Sequence, residues 1–191
     1  MEYFSARIST LLPDLLIHLC TSTKEHEKEG ILPMGQALAD EISLYLHSVE
    51  EMINPSSLRI SFLGFSLGGL IIRQSILLLP KQYLPSLYTY ISVCTPHLGT
   101  PSPSPTLLSA ALSLYLSLST HPTLSQLSLT DNPVPTQCTL SLLSREPTLP
   151  FRSILFLSSP QDSLCPLPSA LALPPHPLAQ SMLSSLHAVH T

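Results

Sequence analysis

Apolar and polar positions along this chain follow two different periods. Residues 1–12 (MEYFSARISTLL) put Phe4, Ile8, Leu11 and Leu12 on one helical face, and Pro13 with Asp14 stops that helix. Residues 15–20 (LLIHLC) form a short, nearly continuous apolar run whose length suits a strand buried on both faces. His18 inside it reads as a core or edge residue rather than a ligand. Residues 21–30 carry mixed charges and read as a solvated connection. Helical spacing resumes with Met34, Leu38, Ile42 and Leu46, flanked by Ala37, Glu41 and Tyr45, and Pro33 fits the first turn. After a turn at 54–57, residues 58–63 (LRISFL) predict a strand, and 66–79 a helix that Pro80 ends. Residues 88–94 (YTYISVC) are β-branched and aromatic, as a strand requires. From 101 to 150 Leu, Ser, Pro and Thr dominate. Leu107, Leu108, Ala111, Leu112 and Tyr115 keep helical spacing there, and Leu124 with Leu127 and Leu140 with Leu143 do so more weakly. Two or three short helices between proline-rich loops are expected. Residues 153–158 (SILFLS) predict a further strand and 178–186 a final helix. Strands alternating with helices predict an α/β domain, its mostly parallel sheet covered by helices on both faces.

One junction carries chemistry. The 58–63 strand runs into Gly64, Phe65, Ser66, Leu67, Gly68 and Gly69, and a helix runs out. Strand, G-x-S-x-G, helix is the nucleophile elbow of α/β-hydrolases. So sharp a turn drives the serine toward disfavoured backbone angles, and glycine two residues before and two after lets strand and helix pack closely. The hydroxyl is raised above the sheet at a helix N-terminus, whose dipole favours negative charge. The chain has only 6 glycines, and Gly64, Gly68, Gly69 and Gly99 lie in or near this stretch.

Sites in parallel sheets lie at the carboxyl ends of the strands. Ser66, His97 and Asp162 each follow a predicted strand end, so they are expected on one edge. A serine needs a histidine to take its proton, and the histidine needs a carboxylate to hold its tautomer. In α/β-hydrolases the order along the chain is serine, acid, histidine. The aspartates after Ser66 are Asp131, in a TDNP turn, and Asp162, directly after a strand. Asp162 is the preferred acid. Leu67 supplies one oxyanion donor through its backbone N–H. His97 precedes the acid, which is the wrong order, and His176 sits between prolines. His187 and His190 follow the acid but lie at the end of the chain, weak candidates for the base.

Composition narrows the class. At 191 residues the chain is one domain by length. Charged residues make up 10%, against about 25% in ordinary soluble proteins, and the net charge is −4 with no basic cluster, so nucleic acid is an unsuitable partner. Cys20, Cys94, Cys138 and Cys165 are widely spaced, with no C-x-x-C. They read as small buried hydrophobes, and neither metal nor cofactor is expected. Glu2, Arg7 and Asp14 interrupt any secretory signal, and no apolar run reaches about 18 residues. A cytoplasmic protein, with peripheral membrane contact at most, is the expectation.

ISFLGFSLGGLIIR followed by YTYISVCTPHLGT resembles the lipase-like serine esterase family, a domain-of-unknown-function group within the α/β-hydrolase superfamily. SILFLSSPQDSLCPLPSA is similar to the family's later strand with its Q-D-x-x-V-P-x-x-S-A stretch, and MGQALADEI to the helix before the elbow strand. The resemblance implies one partial α/β-hydrolase domain over 1–191, with 101–150 as a Leu/Ser/Pro-rich cap-like insertion. It implies Ser66 as nucleophile and Asp162 as acid in hydrolysis of carboxylic esters, with a lipid ester as substrate, through an acyl-serine intermediate. Phe65 stands where the family usually has histidine. The family's opening V-H-G-F/L strand, source of the second oxyanion donor, and its late catalytic histidine find no counterpart. The expectation is therefore a domain trimmed at both ends, which must close the gap between the 15–20 and 58–63 strands or leave unpaired ladder groups there. The competing expectation is a catalytically impaired relative acting as a binding or interaction module.

Overall fold

The computed structural model describes residues 2–50, 57–100, 122–145, 149–162 and 164–173. Its centre is a three-stranded sheet in the order β1 (Ile60–Phe65), β2 (Leu87–Val93), β3 (Ser153–Leu157). Both pairings are parallel, with Phe65 opposite Val93 and Val93 opposite Leu157. Parallel neighbours need crossover connections. α3 (Leu67–Ile76) and a 3₁₀ segment (Lys81–Ser86) make the first. The second is longer and includes α4 (Pro122–Leu127) and α5 (Thr139–Arg145). α1 (Glu2–Leu11) and α2 (Ile31–Val49) precede the sheet, and α6 (Leu167–Ala170) follows it. The fold is α/β, built on a small parallel sheet.

The core forms where the apolar stripes meet. Met34, Leu38, Ile42 and Leu46, predicted as one face of α2, are all buried and pack with Ile71, Ile72 and Ile76 of α3 and with Leu87 and Tyr90 of β2. Gly35 lets the two helices approach, since a Cβ there would lie 2.2 Å from Cγ of Gln74. The first orphan N–H of α2 is satisfied at long range, Ile31 N donating to Gln126 Oε1 at 2.9 Å. Ile31 and Leu70 then join Leu140 and Leu143 in a second apolar cluster, which ties α5 to α2 and α3. β3 turns Phe156 toward the core, while Ile154, Leu155 and Leu157 remain exposed on its edge position.

Several expectations need correction. Residues 15–20 form no strand, and Leu15 and Leu16 are exposed. Among the described residues no strand offers this run a ladder. Instead Glu41 of α2 accepts hydrogen bonds from the N–H groups of Thr21 and Ser22 just beyond it, at 3.1 and 2.9 Å. Among the described residues β1 therefore has no partner on its outer edge. The strand expected at 58–63 begins and ends two residues later, and the helix expected over 66–79 is regular only to Ile76. α1 forms, but Phe4, Leu11 and Leu12 of its apolar face are exposed. The helical spacing at 107–115 and the helix at 178–186 lie outside the described residues. No described helix is long and apolar enough to cross a membrane.

Candidate active site

Ser66 occupies the single residue between β1 and α3, at φ 50° and ψ −123°. Positive φ is costly for a residue with a Cβ, on the order of 1–3 kcal/mol, so surrounding contacts must hold it. Its N–H donates to Val93 O at 2.8 Å, extending the β1–β2 ladder by one residue. Its carbonyl accepts from the Thr95 hydroxyl at 2.8 Å and from Gly69 N–H at 3.2 Å. One turn into the helix, Tyr90 donates its hydroxyl to Gly69 O at 2.9 Å from the buried centre of β2. The Ser66 side chain itself is exposed and makes no capping hydrogen bond. Leu67 and Gly68 open α3, so their N–H groups have no intrahelical acceptor.

The glycines divide the work differently from the expected symmetric pair. A Cβ on Gly64 would lie 2.6 Å from Gly69 N and 2.7 Å from Gly69 Cα. A Cβ on Gly69 would lie 2.2 Å from Thr95 Oγ1. Gly68, by contrast, has nothing within 4 Å of its Cβ position among the described residues. The close approach of strand, helix and β2 loop thus rests on Gly64 and Gly69, and Gly68 leaves free space beside Ser66.

All three residues expected at one edge follow strand ends in register, but their side chains part company. Cys94 N–H donates to Leu157 O at 2.8 Å, so the ladder continues across β3 as it does at Ser66. Asp162 lies five residues beyond Leu157, two strands from Ser66. Asp162 Oδ1 accepts from Leu164 N–H at 2.9 Å and Cys165 N–H at 3.0 Å. The Cys165 and Leu164 N–H groups hold its carboxyl below the usual carboxylate range. Asp131, the other aspartate, is engaged elsewhere, accepting the Thr139 N–H at 2.9 Å and its hydroxyl at 2.6 Å at the start of α5.

His97 turns inward and is only 2% exposed. Its Nε2 pairs with Ser92 Oγ at 2.8 Å, Nδ1 faces Arg73 Nη1 at 3.4 Å, and its ring lies 4.5 Å from that of Phe156. Burial, with the Arg73 guanidinium second, pushes its pKa down to about 3. It is a neutral structural imidazole, with neither nitrogen free to serve Ser66. Arg73 also donates to Leu143 O at 3.0 Å, which joins α3 to α5. The turn after His97 is fixed from α6, where Ser169 accepts from Leu98 N–H at 3.1 Å and donates to Gly99 O at 2.6 Å. Thr95, Tyr90, Arg73 and Ser169 support the site. All four lie in the stretches that carry the family resemblance, Arg73 at the end of ISFLGFSLGGLIIR, Tyr90 and Thr95 in YTYISVCTPHLGT and Ser169 in SILFLSSPQDSLCPLPSA, but no reading of those stretches gave them a role. His176, His187 and His190 lie outside the described residues.

Two outcomes follow from this geometry. Gly69→Ala should lower stability by about 1–3 kcal/mol through overpacking against Thr95, whereas Gly68→Ala should be neutral or stabilising by up to about 1 kcal/mol. Urea denaturation of both variants distinguishes them, and equal losses would contradict the asymmetry. His97 supplies a pH dependence. In the unfolded chain it takes a proton near the ordinary histidine value of 6.5, whereas in the fold it stays neutral down to about 3. The unfolded state therefore binds more protons as pH falls below about 6.5, and stability drops. Between pH 7 and pH 5 the wild type should lose about 2 kcal/mol more than His97→Gln. Parallel pH profiles of the two proteins would contradict a neutral buried His97.

No solved structure matches the chain. Residues 1–171 match the family described as putative serine esterase (DUF676), in line with the arrangement of strand, serine, helix and strand-end aspartate. That match takes in β1 to β3, the Ser66 turn and Asp162, and the chain belongs to this serine esterase family.

Proposed function

We propose that the protein hydrolyses carboxylic esters with Ser66 as nucleophile, and that the turn at Ser66 is a nucleophile elbow. The observation that carries this is the exposed Ser66 hydroxyl held at φ 50° and ψ −123° over the start of α3. A strained serine between a parallel strand and a helix is what acyl transfer at a sheet edge requires. Ser66 Oγ attacks the ester carbonyl, and its proton passes to a base. The carbonyl oxygen, now negative, is met by Leu67 N–H at the positive end of α3. Collapse expels the alcohol and leaves an acyl-serine, which water then hydrolyses. Asp162, kept ionised by two backbone N–H groups, is the acid that orients the base. His176, His187 and His190 follow it in the required order; His187 and His190 are weak candidates for the base, and no counterpart of the family's late catalytic histidine is found in the sequence.

An apolar acyl group, as in a lipid ester, suits this edge. Phe65 next to the nucleophile is 56% exposed and Leu157 at the end of β3 is 49% exposed. The Leu-rich 101–150 segment supplies further apolar residues, those at 107–118 lying outside the described part. A second reading, a non-catalytic relative that binds esters or a partner, is favoured by one observation. Among the described residues no imidazole meets the Ser66 hydroxyl, and His97 is engaged by Ser92 and Arg73.

Steady-state hydrolysis of p-nitrophenyl butyrate and decanoate by the purified chain separates the two. The esterase reading expects turnover that Ser66→Ala abolishes. It expects Asp162→Asn to lower kcat by about 10³–10⁴-fold, with decanoate preferred through KM. Turnover unchanged in Ser66→Ala, or none in wild type, would favour the binding reading.

A further inference from the structure

Residues 15–22 and helix α2 bring together a second polar group that the ester chemistry does not use. We infer that His18, Cys20 and Glu41 form a binding site for a divalent transition cation of the zinc type, which staples the irregular segment before α2 to that helix. One nitrogen, one sulfur and one carboxylate oxygen lie within 4.8 Å of one another. Zinc takes all three donor types, at bond lengths of about 2.0–2.3 Å. Ligand atoms around a tetrahedral centre then sit roughly 3.2–3.8 Å apart, so closure needs movements of about 1 Å. A sulfur and an imidazole in the set disfavour magnesium and calcium, which take oxygen ligands.

The group is also held in place by residues that would not touch the ion. Tyr45 lies one helical turn beyond Glu41, on the same face of α2. Its ring stacks on His18 with centroids 4.2 Å apart and planes 19° from parallel. Glu41 Oε1 faces His18 Nε2 at 2.9 Å, while Oε2 is anchored by the N–H groups of Thr21 and Ser22. Supports of this kind, which fix a ligand's rotamer from behind, are what tune natural metal sites. The bland account, in which Glu41 merely caps Thr21 and Ser22 and pairs with His18, leaves the Cys20 thiol beside a carboxylate to no purpose. In the site, the cation replaces the proton between His18 and Glu41, the thiol releases its proton to solvent, and water fills the fourth position. The three ligands come from H-x-C and a helix 21 residues further on, so no compact metal motif marks them in the sequence. Among the described residues no other His, Cys and carboxylate group meets this spacing.

The test uses the full chain, stripped with EDTA and desalted, then titrated with zinc against a chromophoric chelator and with cobalt(II) by absorbance. The expected result is one equivalent of zinc, a thiolate-to-cobalt charge-transfer band in the near ultraviolet, and a zinc-dependent rise in Tm. Cys20→Ser should abolish the band and weaken zinc binding by at least about 100-fold, since loss of even an outer partner costs 10–100-fold. His18→Asn should weaken zinc binding while keeping a sulfur band. A double His26→Ala, His47→Ala variant should behave as wild type. Melting in EDTA checks that Cys20→Ser folds, and if it does not, His18→Asn decides the matter through zinc affinity alone. Absence of stoichiometric zinc binding, equal affinity in wild type and the deciding variant, or a band that survives Cys20→Ser but disappears in Cys94→Ser would overturn the site.

Discussion

The near-contact between β1 and α3 governs the rest of the structure. With no side chain at Gly64 or Gly69, the strand and the helix that follows it come close enough for backbone to meet backbone. That approach presses α3 against β2, so that Thr95 and Tyr90 reach the carbonyls of Ser66 and Gly69. It also forces the turn between them into one residue, and Ser66 takes the unfavourable φ. The strain is held by interactions made on all sides of it: the ladder bond to Val93, the Thr95 hydroxyl, and the packing of Leu70, Ile71 and Ile72 behind the turn. A side chain able to relax this turn would have to displace Thr95 first. Position and strain are therefore one property of the packing, not two.

Beneath the turn, charge is managed by burial. Arg73 and His97 are neighbours in the interior, and burial disfavours the charged form of each. His97 resolves this by remaining neutral, able to accept or donate through Ser92. Arg73 keeps a carbonyl, Leu143 O, within reach of its guanidinium. The pair joins the loop after β2 to α5 and keeps the imidazole out of any exchange with Ser66. At the sheet edge the opposite holds. Asp162 is partly open, and backbone N–H groups favour its charged form. Two ionisable groups that follow neighbouring strands thus have contrasting protonation behaviour, burial keeping His97 neutral and backbone N–H groups keeping Asp162 charged.

Much of this was legible in the sequence where a local rule had a local cause. The α2 stripe of Met34, Leu38, Ile42 and Leu46 buries as its spacing requires, and the Gly64 to Gly69 stretch produces the tight strand-to-helix turn. The alternation of strands and helices gives a parallel sheet. Residues 15–20 misled because a short apolar run fits a strand only if a neighbour supplies a ladder. Here no described strand does, and His18 instead stacks on Tyr45 while Glu41 takes the next two N–H groups. Gly68 misled for a related reason. The motif names the glycine two residues after the serine, but which glycine faces Thr95 depends on helix rotation, and that is Gly69. The placing of His97 was half legible. Its position after β2 follows from the strand, but its inward turn depends on Ser92, Arg73 and Phe156, which come from three different elements.

Packing at Gly64 and Gly69 leaves the Ser66 hydroxyl exposed at the head of α3, where we propose that it acts as a nucleophile. Treatment of the purified chain with a fluorophosphonate, followed by peptide mass mapping, tests it most directly. The account predicts a single phosphonyl adduct on the peptide containing Ser66, absent from Ser66→Ala and slowed in Gly69→Ala, where the turn is displaced. An unmodified wild-type chain, or an adduct that persists on another residue in Ser66→Ala, would contradict it.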